Sequence, residues 1–506
     1  MPRPPRPPRP PRPPRRRRLR RYLAPILRPR YGHRLPRDLT PRRVGRLAGA
    51  LPHGVRGPEF EALLRRIETK PVHAGNQIDL YTTGEAAFAA MHAAVAGARE
   101  EVLLESYIFK DDAVGCTLLD EFAAAAARGV VVRVLADAMG SSATRAEFWR
   151  SMVARGIDAH LFNPLFKRLW YQPFRDHRKL LVVDRRIAFT GGMNIGVEYG
   201  SPALPSAAAG ANVTWRDSHV RVAGPAAWAL AIVFQEGWLH AGGAPFELQP
   251  LAVSDGFDDG GSGAGVGGSV GAGGSGRSAG VGKRGGVGER GGVGGSGGSG
   301  GVGGSGGGAG VADVGGVGNA GGSAGARVLV LDAQPLRGNR EAAASLAAIA
   351  GAARRQLWIT NAYFAPGHAA VRILARAARR GVDVRLLLPG RTDVPVVRHA
   401  GHGYFAGLLD RGVRIFEYTG SVLHAKSLLA DGYVSVVGST NLDFRSFLFN
   451  AECNLVVFDE SFAARLEAAF TADLAHAVEI DGNAWRRRGL LHRAGDRLAR
   501  LLSPLL

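Results

Sequence analysis

Apolar residues follow two alternating patterns from about residue 76 onwards. Short apolar runs such as 102–109 predict buried strands, whereas alanine-rich stretches such as 120–129 predict helices. The same order returns after residue 326, where 357–364 corresponds to 102–109. Alternation of strands and helices predicts an α/β fold with helices on both faces of a sheet. The repetition predicts two similar domains, each a mixed β-sheet flanked by helices, in a pseudo-two-fold arrangement.

Three segments depart from this pattern. Residues 1–75 are rich in Pro and Arg, which predicts a largely disordered N-terminal tail, and 253–325 are mostly Gly, which predicts a flexible linker. The tail is either an electrostatic tether to acidic headgroups or a solvated extension. Residues 483–506 place Leu and Arg at helical spacing, which predicts a basic amphipathic helix; docking on its own domain is favoured over a membrane interface. The repeats then occupy 76–252 and 326–482.

Positive charge is concentrated in the tail. The chain of 506 residues carries a formal net charge of +21, and its first fifty residues hold seventeen Arg, no Lys and one Asp. A basic surface suits an anionic partner, and nucleic acid and acidic lipid satisfy it equally well.

Cys116 and Cys453 have no partner at metal-ligand spacing, so neither a disulfide scaffold nor a zinc module is expected. No apolar run approaches the roughly 18 residues needed to cross a bilayer, and we expect neither a membrane span nor a secretory signal.

A motif occurs twice, once in each repeat. His177 and Lys179 recur as His424 and Lys426, and residues two apart in an extended strand project from one face, about 7 Å apart. Further members recur at matching offsets from the histidine, and they are the pairs Asp184 and Asp431, Gly191 and Gly438, and Asn194 and Asn441. The matched offsets predict two equivalent half-sites that meet at the domain interface.

The residue types of the motif suit transfer of a phosphoryl group. If the half-sites converge, two ammoniums and two side-chain amides surround one tetrahedral anion and stabilise its charge: Lys179, Lys426, Asn194 and Asn441. One histidine then attacks phosphorus, while the other protonates the departing alkoxide and later accepts a proton from the incoming hydroxyl. Because the lysines supply the positive charge, we expect that no metal ion and no cofactor are required.

Asp184 and Asp431 are candidate catalytic residues with a second interpretation. Each follows its lysine by five residues, an odd interval that in an unbroken strand directs the side chain to the opposite face. Asp431 is followed by Gly432, a pair typical of hairpin turns. A role in the turn, or in supporting the site from outside, therefore agrees with the sequence at least as well as direct contact with the substrate. Histidines that recur in no such frame are interpreted as structural, and they include His160, His219, His399 and His402.

The paired His-x-Lys-x4-Asp motif with its following Gly-Gly/Ser-x-Asn resembles the phospholipase D superfamily, and within it most of all the bacterial cardiolipin synthases. Supporting similarities lie at 107–109, 215–226, 361–366, 416–418 and 441–446. The resemblance runs from about residue 76 to the end of the chain, apart from the Gly-rich insert. It implies two phospholipase D-type domains.

The activity that this resemblance implies is phosphatidyl transfer. One phosphatidylglycerol would be cleaved through a phosphatidyl-histidine, and a second lipid alcohol would accept the phosphatidyl group, giving cardiolipin and glycerol. His177 would be the nucleophile and His424 the acid and base. Longer family members carry two hydrophobic N-terminal helices where this chain has its Pro/Arg tail. We therefore expect an anionic phospholipid partner and peripheral attachment to the cytoplasmic face of the cell membrane.

Hydrolysis is the alternative reaction, because the same side chains can use water as acceptor on a phospholipid or on DNA. A basic groove interleaved with aromatic residues would favour single-stranded nucleic acid. The Arg excess lies instead in the tail and the terminal helix, which suits a lipid surface better, so nucleic acid is not expected as a partner. A binding module without activity is disfavoured because both motifs are intact.

Overall fold

The computed structural model describes residues 39–164, 173–200, 215–248, 323–334 and 339–501, so the predicted linker up to residue 322 and the first part of the tail lie outside the described residues. The strands, in chain order, are β1 (Val72–Tyr81), β2 (Glu101–Ser106), β3 (Val131–Asp137), β4 (Asp158–Phe162), β5 (Arg175–Asp176), β6 (Lys179–Val183), β7 (Ile187–Gly191), β8 (His219–Ala223), β9 (Ser323–Ala333), β10 (Gln356–Asn361), β11 (Asp383–Pro389), β12 (Arg414–Tyr418), β13 (Lys426–Ala430), β14 (Val434–Gly438), β15 (Asn450–Phe458) and β16 (Ala477–Glu479). The helices are α1 (Pro41–Gly49), α2 (Pro58–Glu68), α3 (Gly84–Ala96), α4 (Ala113–Ala127), α5 (Ala146–Ala154), α6 (Pro225–Ala241), α7 (Asn339–Ala352), α8 (Gly367–Arg379), α9 (Pro395–Leu409), α10 (Phe444–Leu448), α11 (Glu460–Leu474), α12 (Gly482–Arg486) and α13 (Leu490–Leu501).

One sheet runs through both repeats. Its strand order is β16-β12-β11-β10-β13-β14-β15-β9-β1-β8-β7-β6-β2-β3-β4, and β5 pairs with β15 off this path. The order reads as a near-palindrome about β1 and β9, which are antiparallel to each other at the centre. In each half three neighbouring strands are parallel, β2 to β4 and β10 to β12, and the other neighbours are antiparallel. The predicted α/β class, mixed sheets and pseudo-two-fold arrangement are confirmed, with the two halves sharing a continuous sheet.

Apolar residues cover both faces of this sheet, which is why β2 and β6 are buried along their whole length. On one face, α6 from the first half and α11 from the second pack against strands of both halves, and Phe234 and Phe462 are fully buried there. On the other face each half has its own core, with α3 to α5 in the first and α7 to α9 in the second. The core shared by α6 and α11 fixes the halves to each other.

Two helices occupy part of the segment for which the sequence predicts disorder. α1 and α2 each begin at a proline, which is favoured in the first helical turn. Val44, Ala48 and Phe60 are buried in the core of the second half, where α1 packs on α7. The prediction of a largely disordered tail is therefore wrong for residues 41–68. Apolar residues at helical spacing bury enough surface to order these helices despite the many arginines around them.

The C-terminal segment docks on the second half. α13 packs on α9, where Ala499 is buried with Ala365 and Ala400, and Nη1 of Arg500 donates to the carbonyl of Gly403 at 3.2 Å. The docked interpretation is confirmed, although the described part of the segment forms two short helices, α12 and α13. Among the described residues, no helix combines the length and the apolar character needed to cross a membrane.

Candidate active site

Two strand pairings between the halves position the motif histidines. β5, which directly precedes His177, pairs in parallel with the start of β15, and the amide of His177 donates to the carbonyl of Ala451 at 2.9 Å. In the mirror arrangement Arg216 pairs with Leu423, and the amide of His424 donates to the carbonyl of Arg216 at 2.7 Å. Each histidine is therefore anchored on the opposite half of the chain.

A carboxylate from the opposite half also orients each imidazole. Nδ1 of His177 lies 3.0 Å from Oε2 of Glu452, and Nδ1 of His424 lies 2.7 Å from Oδ2 of Asp217. Burial opposes the ionisation of both acids, but the neighbouring histidines and lysines outweigh it and hold the pKa of each acid below its ordinary value. An ionised carboxylate only accepts hydrogen bonds, so Nδ1 of each neutral imidazole carries the hydrogen and Nε2 keeps its lone pair.

Small residues after β7 and β14 make room for these acids. A Cβ at Gly192 would lie 2.1 Å from Oδ1 of Asp217, so the carboxylate fills the space that the glycine leaves. Ser439 takes the corresponding position in the second half, and its hydroxyl donates to Oε2 of Glu452 at 2.6 Å. The Gly/Ser difference between the two copies of the motif thus reflects two ways of fitting an acid beside the histidine.

The motif glycines Gly191 and Gly438 have the same role in the two halves. They end β7 and β14, and a Cβ on either would lie 2.4 Å from a carbonyl oxygen, that of Ser218 in the first half and that of Cys453 in the second. A side chain at these positions would push away the neighbouring strand, at whose start the acid lies. The recurrence of glycine is explained by this close approach.

Both lysines are buried beside their own histidines. Nζ of Lys179 donates to the carbonyl of His177 at 2.7 Å, while Nζ of Lys426 donates to the carbonyl of His424 and lies 3.0 Å from its Nε2. Burial lowers the pKa of Lys179 to about 7 and that of Lys426 to about 8. The charge of Lys426 contributes to lowering the pKa of Lys179, so the two amines act on each other across the halves. A single anion can be bound between them.

The histidines are neutral in the free protein near neutral pH. Burial is the main cause that lowers the pKa of His177, opposed by Glu452 and reinforced by both lysines. Burial and then the charge of Lys426 lower the pKa of His424 to about 4. A phosphate anion between the lysines would offset their charge and raise both pKa values. Anion binding therefore favours the proton that one histidine needs in order to act as an acid.

The two motif asparagines differ in their surroundings. Oδ1 of Asn194 accepts from the amide of Ile108 at 3.2 Å, and its Nδ2 donates to the hydroxyl of Tyr199 at 2.7 Å. That hydroxyl lies 3.5 Å from Nδ1 of His424. Oδ1 of Asn441 is buried and has no hydrogen-bond partner among the described residues. Asn194 positions Tyr199 at the site, and substrate binding by Asn194 and Asn441 stays a prediction.

The structure does not bring Asp184 and Asp431 to this site. Both follow the far ends of their strands, about 16 Å along the strand from the lysine. Both adopt positive φ angles of 50° and 52° in the turn that follows. Oxygens of Asp184 accept from three consecutive amides, those of residues 99–101, at 2.7 to 2.9 Å. Asp431 does the same with residues 354–356 at 2.8 to 2.9 Å.

The assignment of these two aspartates as catalytic is therefore corrected. Each ties its hairpin turn to the start of the adjacent strand, β2 or β10. The reason was visible in the odd interval between lysine and aspartate, which turns the aspartate away from the face that carries the lysine.

Asp217 and Glu452 are site residues that the sequence did not predict. Glu452 follows Asp217 by 235 positions, whereas His424 follows His177 by 247, so the acids do not share the offset of the motif. They also differ in residue type. A weak signal does exist, because each acid lies near the start of an apolar strand: Asp217 stands two residues before β8, and Glu452 is the third residue of β15.

The geometry gives a centre with two carboxylate-held imidazoles and two amines whose pKa values lie near neutrality. One imidazole can attack through its free Nε2 lone pair, and the other can carry a proton to and from oxygen. The lysines can balance the charge of a bound phosphate. These are the components for exchanging the alcohol of a phosphodiester in two steps.

Comparisons with known proteins show which family the chain resembles. The family model described as the PLD-like domain of cardiolipin synthase matches residues 91–199 and 346–474, and the two matches contain His177 and His424 respectively. Cardiolipin synthase A of Pseudomonas aeruginosa is 32% identical over 450 residues, which cover 88% of this chain and 76% of that protein. Cardiolipin synthase 1 of Bacillus anthracis is 28% identical over 476 residues, covering 93% of this chain and 80% of that protein. The crystal structure of phosphatidylserine synthase from Haemophilus influenzae has a TM-score of 0.59 at 11% identity, covers 88% of this chain and 100% of that chain, and shares the fold.

Proposed function

Because the chain belongs to the cardiolipin synthase family of phospholipase D-like enzymes, we propose that it moves a phosphatidyl group from phosphatidylglycerol to a second phospholipid alcohol. The products are cardiolipin and glycerol when that alcohol is another phosphatidylglycerol. The observation that carries the proposal is the reciprocal pairing of the histidines, in which Glu452 holds His177 and Asp217 holds His424.

The first step uses His177 as nucleophile. Its Nε2 forms a bond to phosphorus as the bond from phosphorus to the glycerol oxygen breaks, and His424 delivers its proton to that oxygen. Glu452 stabilises the positive charge that develops on the imidazole of His177. Lys179 and Lys426 stabilise the charge on the other phosphate oxygens.

In the second step the proton moves in the opposite direction. The hydroxyl of the acceptor lipid loses its proton to Nε2 of His424, its oxygen bonds to phosphorus, and the bond between phosphorus and His177 breaks. Asp217 accepts the Nδ1 hydrogen of His424 throughout and keeps Nε2 directed at the reacting oxygen. In this scheme the lysines supply the positive charge, so the chemistry requires no metal ion.

Attachment to the membrane is proposed to be peripheral, on the cytoplasmic face. The Arg-rich first fifty residues provide the charge for an acidic lipid surface, at about 1 kcal/mol for each basic residue near it.

The proposal is tested with vesicles of phosphatidylglycerol in a buffer that contains a chelator. We expect equal amounts of glycerol and a four-chain lipid from the natural protein. We expect neither from His177→Ala or His424→Ala, and normal amounts from His160→Ala, which removes an imidazole outside the site. Release of phosphatidic acid without the four-chain lipid would identify a hydrolase, and nicking of plasmid DNA without lipid transfer would identify a nuclease.

A further inference from the structure

A cluster of metal-ligand side chains lies where the C-terminal helix α13 meets α9, separate from the phosphate site. His399 and His402 are three residues apart on α9 and therefore share a face. Asp496 faces them from α13. The potential ligand atoms of these three residues all lie within 4.8 Å of one another. We propose that His399, His402 and Asp496 bind a zinc-type divalent ion that clamps α13 to the body of the protein.

The hydrogen bonds of His402 leave one ring nitrogen facing a carboxylate. Nε2 of His402 lies 2.8 Å from Oε1 of Glu417, which Arg398 also contacts at 3.0 Å. The carboxylate of Glu417, which is paired with Arg398, accepts the Nε2 hydrogen of His402. Nδ1, the other ring nitrogen of His402, faces Oδ1 of Asp496 at 3.8 Å, which is too far for a hydrogen bond.

The same oxygen of Asp496 faces the second histidine. Nδ1 of His399 lies 3.1 Å from Oδ1 of Asp496, while Arg488 occupies the other oxygen at 2.9 Å. Oδ1 of Asp496 therefore lies opposite two imidazole nitrogens, and a metal ion placed between these three atoms would bind to all of them.

The two distances from Asp496 to the histidines are close to those around a tetrahedral ion. Zinc bonds to imidazole nitrogen and carboxylate oxygen are about 2.0–2.1 Å long, which places neighbouring ligand atoms about 3.4 Å apart. The distances from Oδ1 of Asp496 to Nδ1 of His399 and His402, 3.1 and 3.8 Å, lie on either side of that value. The side chain of His399 is 52% exposed, so the fourth position can be open to water. Glu417 would be the carboxylate that holds a metal-bound histidine in place.

The ligand set selects the class of ion. Two imidazoles and one carboxylate suit zinc and its first-row neighbours, whereas calcium and magnesium favour all-oxygen sites. The positive charges of Arg398 and Arg488 are balanced by the negative charges of Glu417 and Asp496. These four groups therefore carry no net positive charge that would repel the ion. The clamp would be structural, because its ligands take no part in the phosphate site.

The test uses the untagged full-length chain after treatment with a chelator. We expect isothermal titration to show one zinc ion bound per chain, and cobalt to give the visible absorption of a tetrahedral site. His399→Ala with His402→Ala should weaken zinc binding by roughly 10²-fold or more. His492→Ala removes an exposed imidazole from α13 outside the cluster and should bind zinc as the natural chain does.

A thermal readout keeps the proposal testable if the double variant folds poorly. We expect zinc to raise the Tm of the natural chain and of His492→Ala but not that of Asp496→Asn. Absence of saturable zinc binding by the natural chain, or equal binding by the double variant, would overturn the proposal. A Tm of the natural chain that does not respond to zinc would also overturn it.

Discussion

Oε2 of Glu452 lies 3.0 Å from Nδ1 of His177, although the two residues belong to different halves of the duplicated chain. The converse holds for Asp217 and His424 at 2.7 Å. Neither half therefore contains a complete site, since each supplies the acid that orients the other's imidazole. The two halves complete each other's half-sites, and the shared sheet and the core between α6 and α11 hold them together.

Removing the charge of either acid should impair catalysis while the fold persists. Glu452→Gln and Asp217→Asn weaken the hold on Nδ1, so the imidazole loses its fixed tautomer and the support for its positive charge. We expect kcat to fall by up to roughly 10⁴-fold, with a smaller change in KM. Ser439→Ala removes one hydrogen bond to Glu452 and should cost less. Unchanged kcat in both acid variants would contradict the assigned roles.

Asp184 and Asp431 should affect stability and leave the chemistry intact. Asp184→Ala removes three hydrogen bonds to backbone amides, which we expect to lower the free energy of unfolding by about 1–3 kcal/mol. Asp481→Ala is the control, because that exposed side chain caps α12 through one amide, and it should cost less. Urea midpoints and kcat at a temperature where all variants are folded measure the two effects. A large loss of kcat without loss of stability would restore the catalytic interpretation.

Anion binding should weaken as pH rises through the range of 7 to 8. Burial lowers the pKa of Lys179 to about 7 and that of Lys426 to about 8, so both amines lose their protons on the alkaline side. We expect the inhibition constant of inorganic phosphate to be lower at pH 6.5 than at pH 9. Lys179→Met should flatten this dependence, and an inhibition constant that does not change with pH would contradict it.

The lowered pKa values of the two lysines affect stability in the opposite direction: anion binding weakens as pH rises, whereas stability increases. An unfolded lysine keeps its proton up to a pKa near 10.5, whereas these two folded lysines release theirs at lower pH. The unfolded chain therefore binds more protons between the two values, and the contribution of these groups to stability rises with pH across that window. Thermal unfolding of the natural chain and of Lys426→Met between pH 7 and 10 would show the difference.

The sequence predicts the half-sites because the motif keeps its spacing. Lys179 and Lys426 start β6 and β13, and each motif histidine lies two residues earlier. Because the pairing of these strands repeats in both halves, a fixed offset in sequence becomes a fixed geometry. The spacing of the motif does not predict the two acids, because Glu452 and Asp217 follow a different offset and reach their histidines only through pairing between halves. Spacing along the chain contains no information about that pairing.

The wrong prediction of disorder has a similar cause. Composition favoured disorder around α1 and α2, yet Val44, Ala48 and Phe60 bury there against helices some three hundred positions away in the sequence. The palindromic order of the sheet likewise depends on the contact between β1 and β9, which no local pattern encodes. Contacts between residues far apart in sequence therefore determine both the ordering of α1 and α2 and the order of the strands.

The most direct measurement counts the phosphatidyl groups that one chain accepts. A donor with p-nitrophenol as its leaving group needs no proton from His424, so His424→Ala should complete the first step and stall before the second. We predict a burst of one p-nitrophenolate per chain, with the phosphatidyl group on His177, and no burst from His177→Ala. Two equivalents per chain, or a burst from both variants, would contradict a single centre shared by the two halves.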